Sequence, residues 1–197
     1  VLKDEHIIIG AHLDHLGKSH LLMPGANDNA SGCSVLLETA KALLNLKMKF
    51  KRSIIFILFG SEEQGVKGSE YYIANLKIPK DKITGFINLE SVGRGETISA
   101  GSGKNYPKLY EYFERNNNKY VRRNMTADYN ANLARPRQDA AHFLWAGIPS
   151  ISFGAYGAPA LPFSTYHTTH DTPENLTPAI MEDITKIIFL AATELAN

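Results

Sequence analysis

Ser53-Ile-Ile-Phe-Ile-Leu-Phe-Gly60-Ser61-Glu62-Glu63-Gln64-Gly65 carries an apolar run straight into a pair of acids. The run Ile54 to Phe59 is too short for a helix and rich in Ile and Phe. It reads as a strand covered on both faces and predicts a central position in a sheet. Glycines at 65 and 68 keep the following turn tight, so Glu62 and Glu63 fall at the carboxyl end of the strand. That edge is where an open α/β sheet binds its ligands.

Similar segments lie on either side. Glu5 to Ala11 reads as a buried strand, and so do Ile83-Thr-Gly-Phe-Ile-Asn-Leu-Glu90 and Ile148 to Phe153; Glu96 to Ala100 reads as a further strand. Helical spacing of apolar residues predicts helices over 31–46, 66–75 and 180–195. Pro107 to Asn118 reads as a helix with proline in its first turn. Asp139 to Trp145 reads as a short helix that Asp139 caps. Residues 119–138 are polar and show no period. Gly154 to Thr172 reads as one long loop rich in Pro, Gly and Tyr, and such a loop inside a domain is more often functional than decorative. Strand and helix alternate, which predicts a single α/β domain over residues 1–197: a three-layer α/β/α sandwich around a mixed, mostly parallel sheet.

A chain of 197 residues with 44% hydrophobic and 21% charged residues has the composition of a folded globular domain. The net charge of +1, with no basic block, gives no reason to expect a nucleic-acid partner. No apolar run is long enough to span a bilayer. The single cysteine, Cys33, excludes an internal disulfide framework. The chain opens almost directly on a strand, which leads us to expect that residues before it, a signal peptide among them, are missing. Nothing in the sequence sets an oligomeric state.

Metal-ligating side chains recur at the ends of the apolar segments. His12 and Asp14 are two apart at a strand end and leave the same face, so the carboxylate can orient the imidazole. The bland reading is a hydrogen-bonded histidine at a strand terminus. His15, next to them, reads as a surface residue. Asp28 lies in Gly25-Ala-Asn-Asp-Asn-Ala-Ser-Gly32 before a helix. Asn and Asp there are ordinary caps, but small residues let the backbone approach a site closely. Adjacent Glu62 and Glu63 repel each other unless a cation relieves them, and a metal on one leaves its neighbour free as a base. Glu90 ends its strand. His167, His170 and Asp171 lie in the long loop, where spacing alone leaves the choice of histidine open. Oxygen and nitrogen ligands of this kind suit zinc or another divalent metal. No nucleophile competes, since there is no GxSxG elbow and Cys33 has no base beside it. Gly101-Ser102-Gly103-Lys104 lacks the spacing of a phosphate loop.

Taken together, GAHLDH, PGANDNASG, FGSEEQG, INLESVG and YHTTHDT resemble the motifs of the co-catalytic di-zinc aminopeptidases of the bacterial leucyl-aminopeptidase type. Glutaminyl cyclases, the glutamate carboxypeptidase II ectodomain and the transferrin receptor ectodomain share that fold. The resemblance runs from His6 to the last helix. It implies two Zn2+ bridged by Asp28, with Glu63 and His167 completing one site and His12 and Glu90 the other. It also implies Glu62 as general base, Asp14 orienting His12, and His167 as the ligand in preference to His170. The implied reaction is hydrolysis of the N-terminal bond of a peptide with a free N-terminus, in the periplasm or outside the cell.

Three positions depart from the family pattern. Glu90 stands where aspartate is commoner. The stretch SDHAPF appears as Gln138-Asp139-Ala140-Ala141-His142-Phe143, keeping the acid as Asp139. Arg135 occupies the place where some relatives carry an oxyanion-donating tyrosine, a role open to Arg137 or Tyr166. Tyr156, Phe163 and Tyr166 are candidates to line the pocket for the first side chain. The alternatives are a glutaminyl cyclase-like acyltransferase, a carboxypeptidase or dipeptidase, and a non-catalytic ectodomain.

Overall fold

The computed structural model describes residues 2–18, 20–129, 135–157 and 165–197. Six strands form one sheet: β1 (His6–His12), β2 (Ser53–Phe59), β3 (Ile83–Leu89), β4 (Thr97–Gly101), β5 (Met125–Ala127) and β6 (Ser150–Tyr156), in the order β2-β1-β3-β6-β4-β5. Strands β2, β1, β3 and β6 run parallel; β4 runs antiparallel to β6, and β5 parallel to β4. The helices are α1 (Gly32–Asn45), α2 (Lys67–Ala74), α3 (Pro107–Asn116), α4 (Ala140–Trp145) and α5 (Pro178–Leu195).

The pleat sorts alternate residues onto two cores. Ile7, Ile9, Ile87, Leu89, Ile151 and Phe153 pack with the buried faces of α1, α3 and α5. Ile8, Phe59 and Phe86 face the other way, against α4 and the partly buried Tyr72 and Ile73 of α2. Phe86 and Phe143 stack there with ring centroids 3.8 Å apart. Gly10 is needed beside Phe59 and Phe86, because a Cβ at that position would lie 2.8 Å from both rings. The result is a mixed, mostly parallel sheet between two helical layers.

Several expectations need correction. The run Ile54–Phe59 is an edge strand of the described sheet and not a central one. Apolarity on both faces reports cover by helices, and Leu58 is nonetheless 40% exposed; the number of lateral neighbours leaves no such mark. Strand β5 lies inside the polar stretch 119–138. It is only three residues long, all half-buried, which is too short to show a period. Strand β6 runs on to Tyr156, into what reads as loop, because β4 pairs with it from Thr97↔Tyr156 to Gly101↔Ser152. Asp139 does not cap α4: it has helical backbone angles and makes no side-chain cap bond.

Candidate metal centre

Parallel strands bring the carboxyl ends of β1, β2, β3 and β6 to one edge, where the ligand-type residues meet. Asp28 lies between two groups of them. Its Oδ1 is 3.2 Å from Nε2 of His12, which is also 3.1 Å from Oε1 of Glu90. Its Oδ2 is 3.2 Å from Nε2 of His167, which is also 3.1 Å from Oε2 of Glu63. One carboxylate thus faces two neighbouring clusters, one through each oxygen. A tetrahedral zinc with bonds of about 2.0–2.1 Å holds its ligand atoms roughly 3.3 Å apart, so both clusters fit such an ion. Asp28 Oδ2, Glu63 Oε1, Glu90 Oε2 and His167 Nε2 are buried and find no hydrogen-bond partner among the described residues. Native proteins rarely leave such atoms unpaired unless an ion or water completes them.

The backbone around Asp28 is fastened on two sides. Asp171 is buried, and its carboxylate accepts the N–H groups of Asn27 and Asp28 at 2.9 and 3.0 Å. Asn29 donates Nδ2–H to the Leu89 carbonyl and accepts the N–H of Ser91 through Oδ1. Asn27 Oδ1 accepts from Gly93, and Ser31 Oγ accepts from Val92. These side chains, which read as caps and turn formers, tie the Asp28 loop to the turn carrying Glu90. Gly32 is required in the same junction, since a Cβ there would meet Asn29 Oδ1 at 2.4 Å and the Leu89 oxygen at 2.5 Å.

Asp14 is wired differently from expectation. His12 Nδ1–H donates to the backbone carbonyl of Asp14 at 3.0 Å, which leaves Nε2 facing Asp28 and Glu90. The Asp14 carboxylate lies 3.8 Å from Nδ1 and instead accepts the backbone N–H groups of Glu62 and Glu63 at 3.0 and 3.2 Å. It therefore fixes the acid pair. Ser61, Ser91 and His167 all have positive φ, at 57°, 52° and 55°. Non-glycine residues seldom adopt that conformation, and such strain gathers at functional sites. Here it aims the chain beside Glu62, Glu90 and the His167 ring itself.

The charges are heavily perturbed. Burial works to lower the pKa of His12, but the hydrogen bonds it donates to Asp28 and Glu90 outweigh it and raise it to about 12. Burial, then the charge of Glu90, pushes Glu62 up to about 8 against the pull of His12. Burial raises Glu90 as well, partly offset by His12. Asp139 is fully buried behind the site, and burial pushes it up to about 7 against the pull of the neighbouring Ser69 hydroxyl.

A cleft of about 560 Å³ opens beside Asp28 and Glu90, with Ser99, Arg137, Tyr156 and Tyr166 among its walls. Tyr166 stacks on His167 with centroids 3.7 Å apart, and burial followed by the nearby carboxylates raises its hydroxyl pKa. Arg135 is exposed, as is His170. Phe163 lies outside the described residues.

The reading of His15 as a surface residue is overturned. Its side chain is only 9% exposed, and Nδ1 lies 2.8 Å from Glu63 Oε1. The chain turns after β1, so strand alternation no longer says where residue 15 points. Gly25 supplies the signal: a Cβ there would sit 2.6 Å from the His15 ring.

The model of Peptidase family M28 matches residues 2–192. A probable leucine aminopeptidase of Arthroderma benhamiae is 27% identical over 202 residues, covering 98% of this chain and 55% of the relative. The structure of BSAP, a zinc aminopeptidase from Bacillus subtilis, superposes with a TM-score of 0.82 at 26% identity, over 98% of this chain and 46% of that one. A glutaminyl cyclase from Porphyromonas gingivalis gives a TM-score of 0.80 at 19% identity, over 98% of this chain and 74% of that one, and shares the fold alone. The chain spans about half the length, or less, of the curated relatives it matches. From its match over nearly the whole length, the chain belongs to peptidase family M28.

Proposed function

We propose that this protein is a di-zinc aminopeptidase that removes the first residue from peptides with a free N-terminus. The observation that carries this reading is Asp28, one carboxylate facing two clusters that each suit a zinc. His12, Asp28 and Glu90 would hold one ion; Asp28, Glu63 and His167 the other. When bound, the pair supplies a water acidified to near neutrality and a Lewis acid for the scissile carbonyl.

The remaining work falls to the protein. Glu62 takes a proton from the attacking water and returns it to the leaving amine. Burial raises its proton affinity above that of an ordinary carboxyl, the direction a base needs, and the bound cations pull the other way. Asp14 holds the Glu62 backbone in place without touching its carboxylate. Glu90, at the cleft wall, would receive the substrate's α-amino group. Arg137 and Tyr166 would meet the peptide, with Tyr166 or Arg137 donating to the developing oxyanion, and Asp139 would act from behind through the charge it presses on Glu62. The resemblance further implies a periplasmic or secreted protein, which cell fractionation checks.

Release of a chromophore from aminoacyl anilides is the direct test. Activity should vanish when the amino group is acetylated. Hydrolysis of an N-acetylated peptide that keeps its free C-terminal carboxylate would point to a carboxypeptidase, and cyclisation of a glutaminyl peptide without hydrolysis would point to an acyltransferase.

A further inference from the structure

The cluster around Glu63 contains a side chain that the ligand set Asp28, Glu63 and His167 does not use. The His15 ring is 91% buried, counting from its 9% exposure, yet neither ring nitrogen has a hydrogen-bond partner among the described residues. Its Nδ1 lies 2.8 Å from Glu63 Oε1 and 4.0 Å from Asp28 Oδ2, and neither contact has hydrogen-bond alignment. Glu63 turns its other oxygen to His167, whose ring meets that of His15 edge-on at 5.6 Å. A buried imidazole left unpaired is costly. Close, unaligned approach of a ring nitrogen and a carboxylate oxygen is instead the arrangement of two ligands converging on one cation.

We propose that His15, through Nδ1, is a fourth protein ligand of the ion held by Asp28, Glu63 and His167. The inference rests on the two-zinc reading above and deepens it, because the two ions then become unlike. Four protein ligands close a tetrahedral zinc, whereas three leave a position open for chemistry. The Glu63 ion is the closed one and is held more tightly. The ion of His12, Asp28 and Glu90 keeps the open position and exchanges more readily. Its neighbour serves to hold Asp28 in place and to add positive charge.

The test uses the full chain, stripped by chelator and reloaded with zinc. X-ray absorption at one equivalent should count two imidazole nitrogens on the ion, from His15 and His167. His15→Ala and the bulkier His15→Gln should each reduce that count to one. Both should weaken the first zinc by at least about tenfold in competition with a fluorescent chelator, with circular dichroism verifying the fold. One imidazole on the wild-type ion, or unchanged first-zinc affinity in folded variants, would overturn the role of His15 while sparing the two-zinc reading. A wild-type protein that takes up one zinc at excess metal would overturn the two-zinc reading, and the imidazole count on that ion would still decide the role of His15. The wild-type measurement decides the matter even if neither variant folds.

Discussion

Asp171 Oδ2 accepts the backbone N–H of Asp28 at 3.0 Å, across 143 residues of sequence. The loop that carries His167 thereby clamps the peptide next to the carboxylate that both clusters share. In Asp171→Asn one oxygen still accepts an N–H, but the amide NH2 now confronts the other. Zinc affinity should fall by about 10- to 100-fold, as for other partners that orient ligands, and the melting temperature should drop. Chelator competition and a thermal scan measure the two effects; unchanged affinity would remove Asp171 from the metal argument.

Glu62→Gln removes the base and leaves the backbone N–H that Asp14 grips. Zinc content should stay at the wild-type value while kcat falls by roughly two to four orders of magnitude. Full turnover with full metal would show that the proton goes elsewhere.

Asp28→Ala deletes an oxygen from each cluster at once. Bound zinc, measured by atomic absorption after desalting, should fall below one ion per chain. Retention of two ions would mean that the clusters do not depend on a common carboxylate.

Zinc should displace protons from the stripped protein. With a pKa of about 12, His12 is protonated at pH 7 before metal arrives, and Nε2 must be bare to coordinate. Glu62, at about 8, is mostly protonated too, and a nearby cation favours its ionised form. Binding at pH 7 should therefore release more than about one proton, and the release should shrink by nearly one as pH passes from 7 to 9. Calorimetry in buffers of different ionisation enthalpy counts them. No release at pH 7 would contradict the electrostatics described for this site.

Phe143→Ala should destabilise the fold by about 3–5 kcal/mol, because the ring is fully buried and stacked on Phe86. Chemical denaturation measures it. A cost under about 1 kcal/mol would mean that the α4 layer repacks freely around the gap.

Much of this protein was legible from local pattern. The strands that begin at Glu5, Ile54 and Ile83 are short, dense in apolar residues and bounded by turn residues, so their existence follows from composition. Each acid or histidine at their ends alone reads as an ordinary turn or surface residue, and it is their joint order along the chain that stands out. Strand β5 stayed hidden because three half-buried residues have no period to detect, and its place depends on pairing with β4.

Local pattern alone sets the alternation of strand and helix and the kinds of side chain at the sheet's carboxyl edge. Which of them meet is settled by folding in three dimensions. It put β2 at the edge, turned His15 inward onto Gly25, spent the Asp14 carboxylate on the Glu62–Glu63 backbone and brought Asp171 to Asp28. Periodicity is a property of neighbours in the chain. Apart from His15, whose direction is set by a turn, the hydrogen bonds among these contacts join residues 48 to 143 positions apart; strand order and loop closure choose them, and neither leaves a local trace.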